Sequence, residues 1–242
     1  YTFSFTTMAD YELVKIPAND ELGFHWPYYL SIPHALSEKT VLLVEPNNTG
    51  GISDDPSVHE QAAENLAKWR SSFAVDLDVP LLVPTFPRPA TEWFIYTHAL
   101  DRDSLLTPIP GLERIDLQLI AMIKDAQQRL ETMGYDVSDR VFINGYSPSG
   151  SFVNRFTLLH PEIVQAAVIG SPGGWPTVPV SEWQQRTLTY PVGIADLATL
   201  IGKGFDVDTF RRVPQYIYVG NMDDNDAVDF SDGFDQVDRE LI

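Results

Sequence analysis

From residue 41 onward, short apolar runs alternate along the chain with segments whose apolar residues recur every three or four positions, and few folds tolerate that order. Val41-Leu-Leu-Val-Glu45 is a compact apolar run stopped by Pro-Asn-Asn-Thr-Gly-Gly, as expected of a buried parallel strand. Ser57-Val-His-Glu60 matches a capping box, and Ala62, Leu66, Trp69 and Phe73 then repeat at helical spacing. His59 falls in that helix's first turn and is expected in solvent. Residues 81–86 read as a second strand, followed by a long polar and aromatic loop that contains Tyr96-Thr-His-Ala-Leu-Asp101. Leu112, Ile115, Leu119, Met122, Ile123, Ala126, Leu130 and Met133 keep one face of the next helix apolar, and Gly134 ends it. Next come a strand at 141–144, a helix through Phe152, Val153, Phe156 and Leu159, and strands at 164–170 and 213–220. Such alternation predicts right-handed crossovers and a mostly parallel sheet flanked by helices, the α/β class. Two earlier strands, at 11–16 and 28–32, alternate polar and apolar residues.

Composition narrows the partners. A chain of 242 residues with 44% apolar content fits one domain, 1–242, and no repeat or low-complexity linker divides it. The formal charge of −18 repels a phosphate backbone or an anionic bilayer, so nucleic acid and the membrane surface are poor partners. No run approaches the roughly 20 apolar residues of a membrane span. With no cysteine, disulfides, thiol catalysis and cysteine metal sites are excluded. The chain begins at Tyr1 rather than Met, which leaves room for a removed leader or tag. Localisation is otherwise open, with secretion favoured.

The strand at 141–144 runs into Gly145-Tyr-Ser-Pro-Ser-Gly150, and a helical pattern starts at once. Strand, G-x-S-x-[SG]-G and helix form the context of a nucleophile elbow, in which a sharp turn exposes a serine hydroxyl and small neighbours let strand and helix approach. Ser147 is therefore the candidate nucleophile. The bland alternative is an ordinary tight turn with Ser147 capping the helix.

On these residues the stretch 41–228 resembles the bacterial serine esterases of the α/β-hydrolase superfamily, near the polyester-depolymerase and feruloyl-esterase branch. Phe152-Val-Asn-Arg-Phe-Thr-Leu-Leu-His-Pro161 is similar to the helix after the elbow in that group, and Gly170-Ser-Pro-Gly-Gly-Trp175 is similar to its pocket loop. The resemblance implies an α/β-hydrolase fold, cleavage of a small or polymeric ester by acyl transfer, no cofactor and no metal, with a serine, an acid and a histidine in that chain order. The acid is expected just past the strand ending at Gly220, where G-x-x-D spacing favours Asp223 over Asp226, with Asp224 between them. The oxyanion hole is expected from Asn47 and Asn48 on one side and the start of the helix after Ser147 on the other. Pro148 has no N–H to give, so Ser149 would donate through its N–H or its hydroxyl. Losing one such donor costs about 3 kcal/mol, or 10² to 10³ in rate. Trp175, Tyr146 and His98, with Trp183 and Tyr190, are candidates for the pocket wall. The segment 171–212 is expected to be a lid or pocket wall.

The histidines break the pattern. They stand at 25, 34, 59, 98 and 160, and none follows the acid loop. His160 lies 13 residues along the helix from Ser147, about 20 Å away. His25 and His34 flank an early strand, and His98 is left as a base or, more readily, a pocket residue. After Val228 only an incomplete amphipathic pattern, Phe234, Val237 and Leu241, remains. The fold is thus expected to lack its last strand and helix. A further C-terminal segment or a second chain would complete the sheet and supply the imidazole.

Overall fold

The computed structural model describes residues 10–47, 51–173 and 177–223. In chain order the elements are β1 (Tyr11–Ile16), β2 (Tyr28–Pro33), β3 (Lys39–Thr40), β4 (Leu43–Val44), α1 (Pro56–Asp76), β5 (Leu81–Pro84), α2 (Arg102–Leu106), α3 (Ile115–Thr132), β6 (Asp136–Val137), β7 (Val141–Tyr146), α4 (Pro148–Leu159), β8 (Val164–Gly170), β9 (Glu182–Trp183), β10 (Arg186–Thr187), α5 (Leu197–Ile201), α6 (Val207–Arg211) and β11 (Gln215–Tyr218). Seven strands form the main sheet in the order β1-β2-β5-β4-β7-β8-β11. β4 pairs in parallel with β5 and β7, and β8 pairs in parallel with β7 and β11. β1 and β2 close the other side antiparallel. The parallel sheet read from the alternation is therefore present, and only β2 runs against the direction of its other strands.

Side-chain alternation divides the core between two faces. Leu30, Leu82, Val44, Ile143 and Ile169 point to the face packed by α3 and α4, where Leu119, Met122, Phe152 and Phe156 meet them. Tyr29, Leu43, Leu81 and Val83 point to the opposite face, against Ala63, Ala67 and Ala74 of α1. α1 departs from the expected phase. The large residues of the sequence pattern lie outside, Trp69 69% and Phe73 45% exposed, while Ala63, Ala67, Ser71 and Ala74 face the sheet. Small side chains let the helix axis approach the strands, and Ser71 Oγ donates to Ser31 Oγ at 2.8 Å. The cap differs too. Asp55 rather than Ser57 caps α1, accepting the Ser57 N–H at 2.9 Å, and Pro56 fills the first helical position.

α1 covers β1, β2 and β5 and reaches Leu43 of β4. Among the described residues, Phe142, Asn144, Ala166, Val168 and Tyr218 line an open groove of about 310 Å³ on that same face, with Phe73 and Leu77 at its side. β11 is the outer strand of the sheet as described. The expected absence of a last strand and helix, and their completion by another segment or chain, concerns residues 224–242 and beyond, outside the described residues. In the segment 171–212, the described part is joined to the body: Tyr190 and Leu197 belong to the main core, and Thr177 N–H donates to Asn154 Oδ1 at 2.7 Å.

Candidate active site

β7 ends at Tyr146 and α4 begins at Pro148, so Ser147 is the whole of the turn between them. Its backbone sits at φ 60°, ψ −127°, a strained setting for an L-residue. Two backbone bonds hold it there: Ser147 N–H donates to Gly170 O at 2.9 Å, and Ser147 O accepts from Ser151 N–H at 3.1 Å. The flanking glycines are sterically required. A Cβ on Gly145 would stand 2.2 Å from Ser149 O, and one on Gly150 would stand 2.3 Å from Gly170 O. Proline disfavours helical backbone in the residue before it, and Ser147 lies outside the helical region. The Ser147 side chain makes no capping bond to α4 and is partly exposed, so the capping alternative is not what the structure adopts.

Ser149 is buried, and its hydroxyl is committed to Tyr146, accepting from its N–H and donating to its carbonyl, both at 2.9 Å. Of the two donors considered for Ser149 only its N–H, in the first turn of α4 and aimed at the helix N-terminus, is left for an oxyanion. Asn47 is likewise buried, and its amide binds the Phe86 backbone at both ends: Nδ2 donates to Phe86 O and Oδ1 accepts from Phe86 N–H, each at 3.1 Å. The Asn47 side chain thus ties the exit of β4 to the exit of β5, and only its backbone remains available to an oxyanion. Asn48 and Trp175 lie outside the described residues, as do Asp224 and Asp226. Asp223 is in the turn after β11, its N–H donating to Gly220 O at 3.0 Å. That turn leaves the same edge of the sheet as Ser147, on the strand two positions away. Tyr146 is 51% exposed beside the elbow. Tyr218, which the sequence reading passed over, stands with its ring centroid 6.4 Å from that of Tyr146. Its signal was the tyrosine pair Tyr216 and Tyr218, spaced to share one face of a strand.

The histidines are placed elsewhere. His98 is 1% exposed, and its Nε2 donates to Phe86 O at 2.7 Å. Burial pulls its pKa down to about 4, so it is neutral at pH 7. Its ring is closed off from solvent, with one nitrogen committed to the Phe86 carbonyl. His59, expected in solvent, is 1% exposed, and its Nε2 lies 2.9 Å from Ser53 O. The capped turn presents it inward, toward the His98 ring 6.1 Å away. His160 is buried at the far end of α4 with Nε2 2.8 Å from Asp116. Burial opposes ionisation of Asp116, but the bonds from His160 and Arg114 outweigh it and hold that carboxyl at about 2. His25 Nδ1 sits 2.6 Å from Asp20, and His34 follows β2 at the opposite edge of the sheet. None of the five is hydrogen-bonded to Ser147. Tyr190 is fully buried, its hydroxyl donating to Leu100 O, so it is core rather than pocket wall. Trp183, on the β9–β10 hairpin, is exposed.

No protein-family model matches the chain, and no curated protein matches it. Solved structures do. Poly(aspartic acid) hydrolase-1 from Sphingomonas sp. KT-1 superposes at a TM-score of 0.57 and 20% identity, over 88% of this chain and 72% of its own. A thermostable esterase gives 0.44 at 18% identity over 88% of this chain, and acetyl xylan esterase from Aspergillus awamori gives 0.43 at 16% over 65%. The chain spans 56% and 51% of those two esterases. At these identities the likeness is one of fold, and it rests on the first superposition: the chain has the α/β-hydrolase fold, a mostly parallel sheet flanked by helices.

Proposed function

We propose that this chain is a serine hydrolase that cleaves carboxylic esters through an acyl-enzyme on Ser147. The observation that carries the reading is the elbow: a serine held at positive φ between β7 and α4, with its hydroxyl left out of the helix cap. Ser147 Oγ attacks the acyl carbon while an imidazole takes its proton, and the carbonyl oxygen becomes an oxyanion. Collapse expels the alcohol, which receives the proton, and water then releases the acid by the same steps in reverse. Asp223, or Asp226 in the same loop, would orient the imidazole. The oxyanion would be met by the Ser149 N–H and the backbone of the Asn47-Asn48 loop. Trp175 and Tyr146 would line the pocket. None of the five histidines is hydrogen-bonded to Ser147, so the reading takes its imidazole from elsewhere.

The Sphingomonas enzyme is named for a polyanionic substrate, and that choice does not suit this chain. A net charge of −18 opposes approach of a polyanion, so an ester without that charge is favoured. The same machinery also accepts peptides or lactones. A second reading has its own support: Pro148 removes one oxyanion donor and no histidine is hydrogen-bonded to Ser147, as in a binding protein that keeps a hydrolase fold. Turnover of p-nitrophenyl esters of rising chain length, compared with the Ser147→Ala variant, separates the two. Turnover well above the variant supports the esterase. Equal turnover with retained ligand affinity supports the binding protein and overturns the esterase.

A further inference from the structure

A second concave site lies at the same edge of the sheet, over the exits of β5 and the entry of β2. It has a volume of about 570 Å³ and is walled by Trp26, Pro56, Pro87 and Pro110, with Asp54 and Glu92 at its rim. Its walls come from four stretches of chain distant in sequence, and each is fixed to another. Trp26 Nε1 donates to Gly111 O at 2.7 Å, and the Gln118 amide donates to that same carbonyl at 3.0 Å. Ser53 N–H donates to Arg88 O at 2.9 Å. Asp54 Oδ1 accepts from Ala90 N–H at 2.8 Å and from Thr91 N–H at 3.0 Å. A cavity braced in this way loses little entropy when it is filled.

Its chemistry is one-sided. The Thr91 N–H holds the Asp54 carboxyl below its usual range, so it is charged at neutral pH. Glu92 adds a second carboxylate, and no lysine or arginine lines the cavity. Arg88, between the lining residues Pro87 and Pro89, is stacked 3.7 Å over the Tyr96 ring. An indole and three proline rings offer flat apolar surface to a ring, and an indole beside two carboxylates attracts a cation. Open α/β sheets bind ligands at the carboxyl ends of their parallel strands, which is where this cavity opens. β5 and β7 are two steps apart in the sheet, about 10 Å, and the cavity and Ser147 both lie beyond the carboxyl ends of these strands.

We propose that this cleft binds a flat apolar group that is uncharged or cationic, and that in an extended substrate it holds the end remote from the scissile carbonyl. The second half rests on the esterase reading of Ser147, and the first half does not. The test uses the full chain carrying Ser147→Ala, titrated with benzyltrimethylammonium, benzyl alcohol and benzoate while backbone amide shifts are followed by NMR. Shifts are expected at 53–59, 87–92 and 109–112, with benzoate at least tenfold weaker than the cation. Trp26→Ala should weaken the cation at least tenfold, and Glu92→Lys, which leaves Asp54 to offset the new charge, should bring cation and anion to within about threefold of each other without touching the braces. Shifts outside these segments, benzoate binding as tightly as the cation, or a preference of unchanged size in Glu92→Lys would overturn the proposal. Because Ser147 is absent throughout, these outcomes are independent of whether the elbow catalyses.

Discussion

At Ser147 the backbone occupies a conformation that costs an L-residue about 1–3 kcal/mol, and the clashes that alanine would meet at 145 and 150 show how little room the turn has. Both glycines and the serine were legible as a motif. The consequence of Pro148 is chemical rather than steric, since it occupies a helix position where an N–H would be unpaired within the helix and hence free for an oxyanion. Restoring that N–H with Pro148→Ala should speed acylation of Ser147 by p-nitrophenyl acetate about 10- to 100-fold, read from the rate of p-nitrophenol release at fixed pH. An unchanged rate would mean that the oxyanion is held without the residue after the nucleophile. The roles of Asn47 and Ser149 were not legible at this scale. Asn47 was read as part of a loop giving a backbone donor and Ser149 as a donor through its N–H or its hydroxyl; what the sequence did not show is that each spends its side chain on a backbone partner, Phe86 for one and Tyr146 for the other. Phe86 lies 39 residues from Asn47, and no local pattern announces a pairing across that distance.

Among the elements, α1 is where periodicity and packing part company. Two apolar faces one residue out of phase were available: Ala62, Leu66, Trp69 and Phe73, or Ala63, Ala67, Ser71 and Ala74. Hydrophobicity favours the first, but close approach to Tyr29, Leu81 and Val83 favours the second. Pattern reading sees size and polarity along one chain and cannot see the distance to the strand opposite. Overpacking the true interface should cost more than trimming the exposed face. Ala67→Leu is expected to lower stability by about 2–3 kcal/mol and Phe73→Ala by less than about 1 kcal/mol, measured by urea unfolding. The reverse order would put the core on the other side of the helix. α3, whose apolar stripe has no such competitor, packs as its sequence reads from Ile115 to Leu130, with Leu119, Met122, Ile123 and Ala126 buried between them, while Met133 at its end is exposed.

At the scale of the whole molecule, the alternation of strands and helices was sufficient to reach a layered parallel sheet, because handedness and the need to cover both faces leave few other solutions. Polar burial was not reachable in the same way. His98, His59, His160 and Asp116 all lie inside, each made tolerable by a partner that only the folded chain brings near. Burying His98 has a global consequence. Its imidazole takes a proton near 6.5 when free and only near 4 in the fold, so between those values the unfolded chain binds more protons. Stability is therefore complete above about pH 6.5 and falls as the pH is lowered toward 4, by on the order of 3 kcal/mol from this group. Buried Glu45 and Asp101, whose pKa values burial raises, act in the opposite direction as they protonate. The comparison that isolates His98 is urea unfolding of the wild type and His98→Gln at pH 7 and pH 4.5, where the variant should lose less stability on acidification.

The central claim is that the Ser147 hydroxyl is a nucleophile presented at the open edge of the sheet. Treatment with a p-nitrophenyl phosphonate, with and without added imidazole, followed by intact mass and peptide mapping, tests it most directly. A single adduct on Ser147, formed faster when imidazole is added, is the expected result. A folded protein that stays unlabelled in both conditions, or carries the label on another residue, would contradict it.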